Sequence, residues 1–168
     1  AVVAAHGDAA ARAQLETRLL AVLGAANATR PARQYVCRKL MQIGTDASVP
    51  TLAGLLPDEK ISHMARYALE RMPCDEAVAA MRDAVSKTEG RTKVGVINSL
   101  GVRRDAGSTE AMVALLGDAD KEIASAAAAA LGNVGRTVLL HADPEQRPLH
   151  HRAVGNLIHR MNEGKVDT

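Results

Sequence analysis

Small and apolar residues recur every third or fourth position along most of the chain, which is the spacing of one face of a helix. The densest example is residues 121–135, KEIASAAAAALGNVG. Alanine has the highest helix propensity and little bulk, so this stretch predicts a helix that neighbouring helices cover on most sides. We expect Ala127 and Ala130 to be buried at contacts between helices. The GNVG run at residues 132–135 is expected to end the helix.

A similar pattern repeats upstream at intervals of about 30 residues. In each copy, a leucine follows compact residues four and eight positions earlier. The copies are Leu131 with Ala127 and Ile123, Leu100 with Val96 and Thr92, Leu69 with Ala65 and Ile61, and Leu40 with Val36 and Ala32. A shorter apolar pattern precedes each copy, so each repeat is predicted to be a helical hairpin. Stacked hairpins predict an all-α fold, a right-handed α-solenoid of about five repeats.

The whole chain, 1–168, is predicted to be a single domain. Its repeats are expected at about 8–44, 45–73, 74–105, 106–135 and 136–162, followed by a frayed tail at 163–168. The fifth repeat is degenerate, because its first helix has room for only about two turns between Gly135 and Asp143. Terminal repeats of solenoids are commonly irregular, since they cap an otherwise open core.

Two copies carry a more specific pattern, DADKEIASAAAAALGNVG at 118–135 and GTDASVPTLAGLLPDEKISHMARYALERM at 44–72. A turn Asp, a branched apolar residue, an Ala-rich centre and a final Leu resemble the HEAT-like repeats, particularly the short bacterial type first described in phycobilin lyases. The basic residue that the family often has after the branched residue is present as Arg33 and Lys93, but Ser62 and Ala124 replace it in the other copies. The resemblance implies an architecture, whereas function depends on individual sites.

In that family the second helix of each repeat lines a concave face. The resemblance therefore implies that two rows of equivalent positions face the groove: Gln34, His63, Val94, Ser125 and His151, and next to them Arg38, Tyr67, Asn98, Ala129 and Gly155. We expect the polar members of the first three repeats to bind a partner, namely Gln34, Arg38, His63, Tyr67 and Asn98. A peptide with an acidic group near Arg38 and an apolar side chain over Tyr67 would suit them.

Composition narrows the function classes. The chain has 47% hydrophobic residues, no Phe, no Trp and two Tyr, so its core must consist of aliphatic residues and alanine. A net charge of +2, with both signs interspersed, gives no strong nucleic-acid or membrane signature. The longest apolar run is too short to cross a bilayer. The start AVVAAHG lacks an initiator Met, and we expect either a fragment of a larger chain or a monomer.

Candidate chemical groups form no recognisable catalytic or metal-binding motif. Four histidines cluster near the end of the chain, at positions 141, 150, 151 and 159, but none lies four residues from another. Cys37 and Cys74 form neither a CxxC pair nor a disulfide framework, and we interpret both as small core residues. Ser108 and Ser125 lack any motif that would activate a nucleophile. We therefore assign no catalytic residue, cofactor or metal.

Three function classes remain. The leading hypothesis is a non-enzymatic scaffold that binds a protein or peptide of unknown identity on the concave face. A tetrapyrrole (bilin) lyase or chaperone subunit is the alternative, suggested only by the type of repeat, and the low aromatic content argues against it. Nucleic-acid binding is a second, disfavoured alternative, because the basic residues around Arg30 to Arg71 are offset by Asp58, Glu59 and Glu70. The compartment stays open, with the cytoplasm slightly favoured.

Overall fold

The computed structural model of the protein describes residues 7–141, and it describes side chains for residues 7–135. This part of the chain is helical, with no strand, and its eight α-helices alternate with turns and three short 3-10 segments. The α-helices are α1 (Ala9–Gly24), α2 (Arg30–Ile43), α3 (Val49–Ala53), α4 (Ser62–Arg71), α5 (Asp75–Lys87), α6 (Gly90–Val102), α7 (Thr109–Ala114) and α8 (Lys121–His141). The 3-10 segments are Asp46–Ser48, Ala106–Ser108 and Leu115–Gly117. The predicted all-α class is confirmed.

The helices pack in consecutive pairs, α1 with α2, α3 with α4, α5 with α6, and α7 with α8. The second members of the pairs also pack against one another in chain order, α2 on α4, α4 on α6, and α6 on α8. The leucines that define the sequence pattern lie in this core, where Leu40, Leu69 and Leu100 are buried and Leu131 is partly buried. Each helix thus covers its apolar face with helices that precede and follow it.

The closest approach between helices depends on very small residues. A side-chain carbon added to Gly101 of α6 would lie 2.8 Å from the Cα atom of Ala130 in α8, so the two backbones are nearly in contact. Ala127 and Ala130 are both buried, which confirms the expectation from the Ala-rich sequence. Larger residues at these positions would separate the two helices.

Helix starts follow the capping signals in the sequence. Asp8 accepts a hydrogen bond of 2.9 Å from the Ala11 amide and caps α1, and Thr29 does the same for α2. Residues 58–61 form turns, and α4 begins after them at Ser62. Asp58 holds this turn by accepting a hydrogen bond from the Lys60 amide.

The expected end of the Ala-rich helix at residues 132–135 is wrong, because α8 continues to His141. Neither Gly132 nor Gly135 has the positive φ that a glycine helix end uses. A glycine inside a helix costs about 1 kcal/mol but does not by itself stop the helix. Val134, which is buried, supplies an apolar contact beyond the first glycine. The boundary expected at 135 between the fourth and fifth repeats therefore lies inside a helix.

Several expectations concern residues outside the described part of the chain. They are the fifth repeat beyond residue 141, with His150, His151, Gly155 and His159, and the tail at 163–168. For His141 only the backbone is described.

Two arginines stabilise the turn that follows α6. Arg103 lies at the start of this turn, and Arg82 of α5 donates a hydrogen bond to Asp105 further along it. Arg103 donates hydrogen bonds of 3.2 Å to the carbonyl oxygens of Leu69 and Glu70, and it also contacts those of Met72 and Cys74. It thereby satisfies carbonyl groups that the end of α4 leaves without helical partners. Further along the turn, Asp105 accepts hydrogen bonds from Arg82 of α5, one of them 2.7 Å long.

The Arg82 hydrogen bond lowers the pKa of Asp105 below its usual value, partial burial opposes that effect, and the Ser108 hydroxyl lowers the pKa further. A carboxylate with a lowered pKa stabilises the fold above its unfolded pKa of about 3.9, and that stabilisation is lost as the pH falls through the folded pKa.

We predict that Asp105→Asn flattens the acid side of the stability profile. The variant should lose less melting temperature than the native protein between about pH 5 and pH 2, because it has no such carboxylate to protonate. Thermal melts across this range measure the difference, and Glu110→Gln, which removes an exposed carboxylate outside this contact, is the matched control. Parallel profiles for the native protein and Asp105→Asn would contradict the prediction.

We also predict that Ala127→Leu destabilises the protein by about 1 to 3 kcal/mol, because the added carbons have no space between the helices. Chemical denaturation measures the free energy of unfolding. Ala129→Leu makes the same change at an exposed position on the same helix and should cost less than about 0.5 kcal/mol. Equal effects at the two positions would show that burial at Ala127 does not limit side-chain size.

Candidate interaction face

The five residues expected to bind a partner lie on α2, α4 and α6, the helices that pack side by side. Arg38, Tyr67 and Asn98 occupy equivalent positions on these helices and are exposed. Gln34 and His63, one turn earlier on α2 and α4, are partly buried. All five side chains therefore reach solvent to some degree. Their joint use by a partner stays a prediction.

A shallow groove of about 450 Å³ lies between α6 and α8. It contains four positions of the two rows, and its lining residues are Val94, Asn98, Lys121, Glu122, Ser125, Ala126 and Ala129. The structure thus brings Asn98 together with the small residues expected further along the face. Gln34, Arg38, His63 and Tyr67 do not line this groove. We call this groove, together with the side chains of Gln34, Arg38, His63 and Tyr67, the interaction face.

Tyr67 is the tyrosine of the two rows, and 47% of its surface is exposed. The guanidinium carbon of Arg66 lies 5.0 Å from the centre of its ring, which is the distance of a cation–π contact. Such a contact at an exposed site contributes about 0.5 to 1 kcal/mol, so it favours one position of the Tyr67 ring.

Arg66 is fixed by a polar network between α4 and α6. It donates a hydrogen bond of 2.7 Å to the Ser99 hydroxyl, and Ser99 donates one of 2.6 Å to the carboxylate of Glu70. Arg66 and Glu70 also form an ion pair at 4.0 Å, with 14% and 10% of their side chains exposed. Since Ser99 is buried, each polar group of this network depends on the others for its hydrogen bonds.

Space for Arg66 exists because residue 95 is glycine. A side-chain carbon added to Gly95 would lie 2.9 Å from Nε of Arg66 and 3.3 Å from its Cζ atom. The guanidinium therefore lies directly over the backbone of α6. Any larger residue at position 95 would push Arg66 away from Ser99 or from the Tyr67 ring.

Sequence reasoning missed Arg66 and a second exposed tyrosine, Tyr35. Tyr35 is 54% exposed on α2, and Nζ of Lys39 lies 5.2 Å from its ring centre. The spacing of Tyr35 and Lys39, one helical turn, is a signal that could have found this pair. No such signal exists for Arg66, because its contact with Ser99 joins residues 33 positions apart.

Nothing in the described residues assembles a reactive centre. Cys37 is fully buried, and burial raises the pKa of its thiol to about 11, so the thiol is neutral at neutral pH. No three metal-ligating side chains come together within the described part of the chain. Its helices also include none long and apolar enough to span a bilayer.

A search with models of protein families finds none that matches the chain, and no curated protein matches it significantly. The resemblance to HEAT-like repeats therefore depends on the residue pattern alone.

We predict that Ser99→Ala destabilises the protein by about 1 to 3 kcal/mol, because Arg66 and Glu70 both lose a hydrogen bond in a poorly hydrated place. Urea denaturation measures the effect. Ser125→Ala removes an exposed hydroxyl from the neighbouring helix α8 and should change stability by less than about 0.5 kcal/mol. If both substitutions were equally tolerated, the Arg66 network would not contribute to folding.

Proposed function

We propose that the protein is a HEAT-like α-solenoid of about five repeats and a non-enzymatic interaction module that holds a peptide or helix on the interaction face. Support for the architecture comes from the consecutive pairing of helices and from the row α2, α4, α6 and α8. An interval of about 30 residues between equivalent leucines points the same way. In a solenoid of this kind, the second helices form one continuous concave surface.

One observation carries the proposed function: the exposed ring of Tyr67 contacts an arginine that hydrogen bonds hold in place. Tyr67 contributes nothing to the core, yet Arg66 orients its ring and is itself held by Ser99 and Glu70. A partner that packs on Tyr67 therefore loses little side-chain entropy on the receptor side. Tyrosine and arginine are also the residue types enriched at the energetic centres of interfaces.

The surroundings of Tyr67 favour a ligand of mixed character. Arg38 lies at the equivalent position on the preceding helix and is exposed, so an acidic group of the ligand would pair with it. Further along the chain from Tyr67, the groove between α6 and α8 is lined by Ala126 and Ala129. Its uncharged polar groups are Asn98 and Ser125. This part of the face suits compact apolar side chains. A short peptide that is acidic at one end and small and apolar at the other fits both ends.

The two alternatives stay hypotheses, because no contact or cavity of the described residues favours either. An absorbance titration with a bilin tests tetrapyrrole binding. Steeply salt-dependent binding to duplex DNA would support the nucleic-acid hypothesis.

Selection from a random peptide library against the purified protein tests the proposed function. Selected peptides should bind with a Kd of about 100 μM or tighter and should share an acidic residue next to an apolar one. Tyr67→Ala should weaken such a peptide by at least about 1 kcal/mol without loss of helical content. Tyr35→Ala is the matched control, because Tyr35 is equally exposed and equally paired with a cation but lies outside the two rows.

Equal loss of binding in the two tyrosine variants would show that any exposed tyrosine attracts the peptides. Failure to select any peptide, or protection from hydrogen exchange on α5 and α7 only, would overturn the assignment of the interaction face.

A further inference from the structure

A second cavity, of about 480 Å³, lies away from the interaction face, where the ends of α2 and α4 meet the start of α5 and part of α1. None of the five residues expected to bind a partner lines it. Its apolar lining includes the buried Met72, the partly buried Met41 and the exposed Pro73. A volume between about 300 and 1,000 Å³ with an apolar base and a few polar groups is typical of small-molecule sites.

Four charged side chains border this cavity, Arg12 and Arg71 with positive charge, and Asp46 and Glu76 with negative charge. Among residues 7–135, no two of them form an ion pair, and neither guanidinium group donates a hydrogen bond to another residue. The Asp46 carboxylate accepts a hydrogen bond of 2.9 Å only from the neighbouring Ala47 amide. Arg82, in contrast, forms an ion pair with Asp105. The cavity therefore offers two unused guanidinium groups and two carboxylates to a ligand.

These four charges indicate which chemical class of ligand the cavity can bind. Each guanidinium can take one carboxylate in a two-hydrogen-bond arrangement. A ligand with carboxylates alone would leave Asp46 and Glu76 facing additional negative charge, whereas an ammonium group on the ligand would pair with one of them. We propose that this cavity binds a small zwitterionic peptide with two carboxylates and one ammonium group.

The test uses S-methylglutathione, a tripeptide of this charge pattern that has no free thiol. Isothermal titration of the full chain should show one site with a Kd below about 1 mM. Arg12→Ala and Arg71→Ala should each weaken binding about tenfold, the effect of losing one charge-assisted hydrogen bond. Arg91→Ala removes an exposed arginine that does not line the cavity, and it is the matched control. All three positions are exposed, and thermal melts verify that the variants remain folded.

Cys74 locates the ligand independently, because its partly buried thiol lines the cavity, whereas Cys37 is fully buried. Bound S-methylglutathione should slow alkylation of Cys74 by iodoacetamide in proportion to occupancy. Glutarate, which has two carboxylates and no ammonium group, should bind at least about tenfold more weakly, since it leaves the acidic side unpaired.

Three results would overturn the proposal. They are absence of heat and of Cys74 protection at millimolar tripeptide, binding that neither arginine variant weakens, and equal affinity for glutarate. None of these outcomes bears on Tyr67, so this site and the interaction face stand or fall separately.

Discussion

The constraint on which the structure depends is that helices of this chain have polar groups satisfied by residues about 30 positions away in the sequence. The polar contacts show it most directly. Glu16 on α1 is buried and accepts hydrogen bonds from Thr45, 29 residues later, and from Ser48. Arg103 closes the end of α4 from 34 residues beyond Leu69. In both contacts the donor and its acceptor belong to different helix pairs, so α1 and the end of α4 satisfy polar groups through the pair that follows. Stability therefore comes from contacts between neighbours.

Small residues allow those contacts to be close. Gly101 lies against Ala130, and Gly95 lies beneath Arg66, so in both cases a missing side chain on α6 lets a neighbouring helix approach or send a side chain across. Glycine on α6 thus allows apolar packing against α8 at Gly101 and a polar network with α4 at Gly95. A core without phenylalanine or tryptophan then needs no large side chain to fill gaps. Its density depends instead on backbone proximity, and substitutions that add volume are costly.

The periodicity of apolar residues made the helices and their order along the chain predictable. It also predicted the burial of Ala127 and Ala130, because the spacing of apolar residues on one helix face shows which side is covered. It failed at residues 132–135, where composition suggested a stop but buried Val134 and continued helical backbone outweigh the cost of glycine. Arg66 could not be found this way, since its orientation depends on the gap left by Gly95 on another helix. The second cavity was equally hidden, because its four charges come from separate elements that only the packing brings together.

Arg66 connects the stability of the fold with the recognition that we propose at Tyr67. Its guanidinium is bonded to a buried serine and an acid of the same helix, while its other side supports the exposed ring of Tyr67. The energy that orients the ring is therefore part of the folding energy, and no partner has to supply it. A substitution at Ser99, which touches no surface, would loosen the ring as well as the contact between α4 and α6. Weaker binding with unchanged stability is expected at Tyr67, whereas weaker binding together with lower stability is expected at Ser99. Comparison of the two variants therefore distinguishes the residue that contacts a ligand, Tyr67, from the network that positions its ring.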